Sequence, residues 1–417
     1  MASCNEIHQL LPEDVIIEIL SWLPVKSVIR ARAVCKNWNT ITKNPSFVTK
    51  HFKHHTNNSG HLFVMRFDEI SSRFVLSLFP DETLAGSPQV YEDVVVDMIY
   101  HVQFAASPYN GILCLTNRSQ RLALWNPATR EFRSLPKLPP RDLPPYVQVG
   151  YQNTFGFGLD PITNDYKVVC IWYDVHYVDA ATYEPEETGY GPWQVAVYTL
   201  STDSWRYLDV ALPYTLIEGP VSNTCINGVY HWFAIDNDDH RLILSFDLGN
   251  ELFSEIRDTP TPRDHRSILL FDLGHDLFSE IRDTSTPSAK HGYYAILAPY
   301  NNSLALIYHD SDQVVDVWVM MEEGGWTNQF TVQLSEQIRP LGFWKNSQLF
   351  METDDRVHVF LYDLETQEIK DLESPIWEYY LVYKESLVAI SRGDGFLEED
   401  QLSDVDRVQK FSIGWFE

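Results

Sequence analysis

The chain of 417 residues holds no run of 18 apolar residues, and its first nine, Met1 to Gln9, contain no apolar stretch. Those absences argue against membrane insertion and secretion. Cysteine is scarce and scattered: Cys4, Cys35, Cys114, Cys170 and Cys225 are odd in number and form no Cys-x-x-Cys pair. They read as reduced thiols of a cytoplasmic or nuclear protein. Basic charge is also short, with 31 Lys and Arg against 58 Asp and Glu and a net charge of −27. Such a chain repels phosphate backbones, which excludes nucleic acid as a partner. Gly-x-Ser-x-Gly, His-Glu-x-x-His and Walker-type loops are missing. The two glycines of Phe155-Gly156-Phe157-Gly158 lack the rest of a dinucleotide fingerprint and predict a tight strand crossing instead. His51, His54 and His55 have no acid or Cys at metal-ligand spacing and read as a solvated basic helix end. No catalytic residue, metal ligand or cofactor is therefore assigned.

What the chain does have begins with a short apolar helical module, Leu10 to Phe52. Leu11-Pro12-Glu13-Asp14 is a helix start, with Pro near the first position and acids in the first turn. In the helix that follows, to about Trp22, Val15, Ile16, Ile19, Leu20 and Leu23 form one stripe, and Ile17 and Trp22 widen the apolar arc to roughly 220°, about twice what one core needs. Leu23-Pro24 ends it. Ser27 is placed to cap a second helix with apolar positions at Val28, Ala31, Val34 or Cys35, Trp38 and Ile41. Asn44-Pro45-Ser46 starts a third, carrying Phe47, Val48 and Phe52. About 40 residues make too small a core for so much apolar surface, so either a partner chain or the neighbouring domain covers the excess.

From His61 onward the sequence alternates, is rich in Val, Tyr, Trp and Phe, and places turn residues every 8 to 12 positions, the pattern of an all-β sandwich, barrel or propeller. One unit recurs, an apolar strand ending in an aromatic and then a polar turn: Trp125-Asn126-Pro127, Tyr198-Thr199-Leu200 and Phe246-Asp247-Leu248, with further copies near Trp318 and Tyr362 and a weaker one at Phe67. Two anchor spacings are long. One contains the polar stretch Asp174 to Trp193; the other contains a tandem duplication in which residues 244–268 and 269–293 match at 15 of 25 positions. Without these, the spacing falls in the range of about 40 to 50 residues per propeller blade. Six blades are predicted, the ring being closed by strands in Glu378 to Ile390 that complete the blade begun near His61. One duplicate is expected to dock as outer strands and the other to protrude, or the pair makes an incomplete seventh blade.

The run LLPEDVIIEILSWLPVKSVIRARAVCKNWNTITKNPSFVTKHF resembles an F-box, the motif that docks a protein onto the Skp adaptor of a cullin–RING ubiquitin ligase. Leu11-Pro12, Ile19-Leu20, Leu23-Pro24-Val25-Lys26-Ser27, Val34-Cys35-Lys36 and Trp38 stand at the family's spacing; Ala31 departs from it, where an aromatic is usual. The resemblance implies that Leu11, Pro12, Ile16, Ile19, Leu20, Leu23, Pro24, Val28 and Val34 supply the adaptor contact, less those that pack the helices together. Asn110-Gly111-Ile112-Leu113-Cys114-Leu115, Trp125 to Arg130, Phe155 to Asp160 with Asp165 to Val169, and Val229-Tyr230-His231-Trp232 are similar to the plant F-box-associated domain, in its type 1 form. Val317 to Glu322 and Gly342 to Asn346 bring the chain nearest to pollen S-locus F-box proteins. In the turn Asn126 to Arg130, Arg130 is the residue expected to tie loops together.

The expected division is an F-box module at 8–54, a linker at 55–60, a kelch-like propeller at 61–392 and an acidic tail at 393–417. Charge divides the same way. Residues 1 to 55 carry seven Lys or Arg against four acids, a balance of +3; the other 24 basic and 54 acidic residues leave −30. The candidate target-binding residues are the acids of Asp174 to Trp193 (Asp174, Asp179, Glu184, Glu186 and Glu187, interleaved with Tyr177, Tyr183 and Tyr190) and those of the cluster Asp236, Asp238 and Asp239. Rings supply anchors and carboxylates steer a basic partner. Asp310, Asp312, Glu322 and Glu323 read as similarly placed. The function this implies is a non-catalytic receptor whose module binds the Skp adaptor, and through it a cullin and a RING protein, while the propeller holds a basic protein, in the S-locus case a ribonuclease. The alternatives are an unrelated protein target, or a glycan or small ligand in a Trp-lined pocket drawing on Trp172, Trp232 or Trp318.

Overall fold

A computed structural model of the chain describes residues 11–56, 61–68, 73–79, 89–91, 103–117, 121–138, 149–176, 193–216, 223–238, 240–257, 259–260, 294–309, 313–322, 324–334, 338–345, 348–353, 358–372 and 379–390. Four helices precede an all-β ring: α1 (Glu13–Ser21), α2 (Val25–Ala31), α3 (Lys36–Lys43) and α4 (Pro45–Thr56). The expected middle helix is split in two, because Cys35 takes an extended backbone (φ −161°). Ser27 lies inside α2, whose N-terminal flank is Pro24, so no side chain caps it. At α4 the Asn44 carboxamide oxygen does accept the Ser46 N–H at 2.9 Å, as a cap should.

Six antiparallel sheets follow, each a blade. Blade 2 is 103–109, 112–116, 122–126 and 131–134; blade 3 is 149–160, 165–176, 194–199 and 204–208. Blade 4 splits its first strand into 214–216 and 224–226, both paired with 229–236, and continues through 241–247 and 252–256. Blade 5 runs 294–300, 303–309, 314–320 and 326–333, and blade 6 runs 338–345, 348–353, 359–363 and 369–371. Blade 1 is made from both halves of the chain, Tyr379–Tyr383 pairing with His61–Asp68, then 73–79 and 89–91. The predicted closure thus holds: the C-terminal strand completes the blade that the N-terminal strands begin. Five of the six anchors stand on third strands, but Phe67 lies on the second strand of blade 1, one strand early, because the C-terminus supplies that blade's first. In the duplicated stretch, 244–256 forms the outer strands of blade 4, as expected of one copy; 269–293 lies outside the described residues.

The recurring turn has a shared chemistry. Asn126, Asp160, Asp247 and Asp363 each end a strand and accept backbone N–H groups two and three residues on. Four residues after each, Arg130, Asn164, Glu251 and Gln367 take positive φ, between 55° and 60°. A short side-chain acceptor that imitates a backbone turn explains the Asn or Asp after the apolar strand at Asn126, Asp247 and Asp363; the copies at Tyr198 and Trp318 have Thr199 and Val319 there. The loop-tying residue in the first of these turns is Asn126, fully buried, and not the exposed Arg130.

Core side chains lie between neighbouring blades, the largest cluster joining blades 2, 3 and 4 through Trp172, Tyr198, Tyr230, Trp232 and Phe246. Gly156 and Gly158 permit that approach: a Cβ at Gly156 would run into the Trp232 and Tyr230 rings, and one at Gly158 into Cys225 and Leu248. The strand crossing predicted there is what the glycines serve. Blades 3 and 4 are also pinned by Lys167, whose ammonium donates to the Leu248 carbonyl at 2.7 Å and Glu251 at 2.9 Å and pairs with the fully buried Asp160 at 2.8 Å. Burial pushes the Asp160 carboxyl up, but Lys167, Thr163 and Ile162 outweigh it and hold it at about 2. Lys167→Met is expected to cost about 3 kcal/mol, the low end for orphaning a buried charge because the Ile162 and Thr163 donors remain. A thermal melt read by tryptophan fluorescence measures it.

Cys114, Cys170 and Cys225 are buried free thiols. Cys35 departs from the expectation of reduced thiols: it is disulfide-bonded. Wide spacing in sequence rules out a short motif but not a bond between segments that folding brings together.

Candidate partner-binding surfaces

Helix α1 separates the nine expected adaptor residues. Ile16 and Leu20 are buried with Val25, Val28, Ala31, Ile41 and Phe47 in the module's own core, and Leu23 packs beside them. Leu11, Pro12, Ile19, Pro24 and Val34 are exposed. Leu11, Val15, Ile19 and Trp22 recur at intervals of four, four and three and form one outward stripe, Ile19 at 50% and Trp22 at 58% exposure. The wide apolar arc is therefore two stripes, one buried within the module and one facing solvent. The motif resemblance did not include Val15 and Trp22; their exposure is the signal that adds them. Ala31, the departure from the F-box pattern, is a core residue and bears on packing rather than on the outward stripe.

The three histidines are not a solvated helix end. His51 is buried and bonds the Leu23 carbonyl at 2.8 Å, burial bringing it down to about 4. His54 stacks on Trp22 with centroids 4.1 Å apart and bonds the Ser21 hydroxyl at 3.2 Å. Lys50 pairs with Glu18, which also accepts the Trp22 indole N–H at 2.8 Å. Helix α4 thus braces the outward face of α1, fixing Trp22 without covering it.

On the propeller, chain direction assigns the loops to two rims. Antiparallel strands alternate, so first-to-second and third-to-fourth turns leave one rim and second-to-third connections leave the other. Ala128, in a third-to-fourth turn of blade 2, packs against the helical module, so the helices sit on the first rim. The second strands end at His176, Asp236, His309 and Thr353, on the opposite rim, where Asp238 and His240 follow; residues 177–192, 239, 310–312 and 354–357, which carry the other acids between second and third strands, lie outside the described residues. Glu322 lies in a third-to-fourth turn, on the helix rim; Glu323, Asp310 and Asp312 lie outside the described residues. Asp174 lies on the strand Asp165–His176; Asp179, Glu184, Glu186, Glu187 and Asp239 are outside the described residues.

Asp236 is engaged internally. It accepts the Asp238 and His240 N–H groups at 3.0 and 2.9 Å and pairs with Arg257 at 2.7 Å, which with those donors keeps its carboxyl at about 2. Asp238 is left as an exposed acid of that connection. Asp236, Asp238 and His240 are also the one group of metal-type ligands among the described residues, their atoms within 4.8 Å of one another. Arg257 and two backbone donors already occupy the Asp236 carboxylate, which makes the group a closed turn rather than an open site. Trp172 and Trp232 are buried between blades, the Trp232 indole donating to the Phe155 carbonyl at 3.2 Å, and line no ligand platform.

Comparison with known proteins agrees with this division. A family described as the F-box domain matches residues 9–50, and one described as the F-box associated beta propeller domain, FBA_3, matches residues 60–380. That family stands in place of the type 1 form. An F-box/LRR-repeat/kelch-repeat protein of Arabidopsis thaliana is 28% identical over 263 residues, covering 60% of this chain and 65% of its own. An F-box protein of the same plant is 31% identical over 266 residues, covering 60% and 59%. The chain thus spans less than two thirds of the length of these curated relatives. Among solved structures, the nidogen/laminin complex aligns with 78% of this chain and 98% of its own at 11% identity, with a TM-score of 0.38. With four helices in the one match and six blades in the other, the chain belongs to the F-box proteins that carry an F-box associated beta propeller domain.

Proposed function

We propose that this protein is the substrate-recognition subunit of a Skp–cullin–F-box ubiquitin ligase. The observation that carries the reading is the outward stripe Leu11, Val15, Ile19 and Trp22, with Val34, on a module whose core is already filled by the opposite stripe. An apolar face with its own core behind it fits a partner chain, and the F-box resemblance names that partner as the Skp adaptor, with a cullin and a RING protein beyond it. The protein performs no bond chemistry; it raises the effective concentration of a target lysine near the conjugating enzyme. Work in the cytoplasm or nucleus is part of the proposal.

The target is a basic protein drawn to the acidic propeller, whose second strands end on the rim away from the helices. The S-locus ribonuclease is one protein of that class, and the S-locus resemblance of Val317 to Glu322 points to it. Binding of the ribonuclease is expected to weaken as ionic strength rises, since screening shortens from about 10 Å at 0.1 M salt to about 3 Å at 1 M. Neutralising Asp174, Asp179, Glu184, Glu186 and Glu187 to Asn or Gln should weaken it further and flatten the salt slope. Affinity that stays constant across both series, measured by calorimetry, points instead to a neutral or acidic target.

A further inference from the structure

We propose that the seven residues after the ring-closing strand, Lys384 to Ile390, are the coupling element that fixes the F-box module on the propeller, with Leu387 as the positioning residue. The segment leaves Tyr383 on the helix rim and crosses blade 2. Asn126 donates to the carbonyls of Ser386 at 3.1 Å and Val388 at 2.8 Å. Arg133 donates to the Ile390 carbonyl at 3.1 Å, and Glu131 accepts the Ile390 N–H at 2.7 Å. Gly111 completes the seat: with φ of +73° it leaves room where a Cβ would run into Ser386 and the Lys384 carbonyl.

Out of this seated segment one side chain enters the helical module. Leu387, 2% exposed, is a member of the helical module's cluster, with Ile16, Leu20, Val25, Val28, Ala31, Ile41 and Phe47. Ala128, from the turn that Asn126 organises, packs against the same cluster. No helix shares an extended contact with a described strand, so Leu387 and Ala128 carry the apolar bridge between the two units. Backbone held by four hydrogen-bonding or close-packed partners on one side, and a leucine sunk in another domain's core on the other, make a plug. Three residues separate the plug from the strand that closes the ring, so closure and docking are performed by one stretch of chain.

The consequence is geometric. An adaptor bound to the outward stripe of α1 and a target bound to the opposite rim of the propeller are held at one distance and one orientation, instead of being joined only through residues 57–60. For target presentation the inference rests on the receptor role proposed above; for the coupling itself it does not.

Spin labels at Lys43→Cys on α3 and Lys370→Cys on blade 6, both exposed, report the relation between the units by pulsed EPR. The full chain should give a single narrow distance distribution. Leu387→Ala should broaden it and lose the single maximum, while the propeller's own melt and the affinity for a purified plant Skp adaptor stay unchanged; the chain ended after Glu385, which also loses Ile390 from the core of blades 2 to 4, should broaden it likewise and still melt cooperatively, at a lower temperature. Leu387→Met, which refills the pocket, should restore the narrow peak. A distribution that stays narrow without residues 386–390 overturns the proposal. Loss of the propeller melt in the same truncation also overturns it, since the segment would then be needed for the ring and not for coupling. Failure of even the full chain to bind the adaptor, with the distance result as expected, would remove the receptor reading and leave the coupling standing.

Discussion

Ile19→Asp is expected to reduce capture of a Skp adaptor by about 100-fold or more, while circular dichroism and the melting profile stay those of the parent. Ile19 sits at the centre of the outward stripe of α1, half exposed when free, with Val15 on one side and Trp22 on the other. In a complex that covers the stripe, its methyl groups would be at the middle of an apolar contact, and an Asp there would be an unpaired carboxylate taken out of water, a change of about 3 kcal/mol or more. In the free protein the same carboxylate is solvated and costs little. Leu20→Asp is the contrast: one residue along the helix, 2% exposed, it puts the charge into the core shared with Val28, Phe47 and Leu387, and should unfold the module itself. Both variants lose the adaptor, and only the melt separates them. If Ile19→Asp retained adaptor affinity in a surface-binding assay, the outward stripe would not be the docking surface.

Ending the chain after residue 378 should abolish cooperative unfolding of the propeller, a larger effect than any point substitution considered above. The strand 379–383 is the inner strand of blade 1, and its removal leaves His61–Asp68 with an open edge. It also takes away Tyr383, fully buried against Phe63, whose ring lies 5.9 Å away, and Leu381 of the same cluster. Side chains of this size contribute about 1.5–3 kcal/mol each on burial, so the loss, with five residues of strand pairing, reaches the total of about 5–15 kcal/mol that holds an ordinary domain together. Ending the chain after Ile390 keeps every one of these groups, and its melt should match the full-length protein. A soluble, cooperatively melting chain of 378 residues would mean that the ring does not depend on its C-terminal closure.

Much of this organisation was legible before any coordinate. Alternation, an aromatic-plus-turn repeat and its spacing were enough for six blades and for closure by the C-terminus, because a propeller repeats one local unit and local units write themselves into sequence. The turn was legible at Asn126, Asp247 and their equivalents for the same reason: the acceptor that makes the turn lies two residues from the groups it bonds. The single slip in the repeat, Phe67, is where locality fails, since the first strand of that blade comes from more than 300 residues away. The histidines of α4 misled for a related reason. Nothing within α4 marks His51 as buried; the Leu23 carbonyl that receives it belongs to the link between α1 and α2.

By itself, then, the sequence determined the two domains, the family, the acidic balance of the propeller and the pool of apolar residues on α1. Periodicity and composition are local or additive properties, and one chain read in order displays both. Only the tertiary structure decided which stripe of α1 faces outward, that Asp236 is spent on Arg257 and its own turn, that the second strands end at His176, Asp236 and His309 on the rim away from the helices, and that Leu387 joins the two units. Each of those depends on which of several similar residues meets a partner distant in the chain. An apolar residue has the same character whether it fills a core or waits at a surface; the neighbours that folding supplies make the difference.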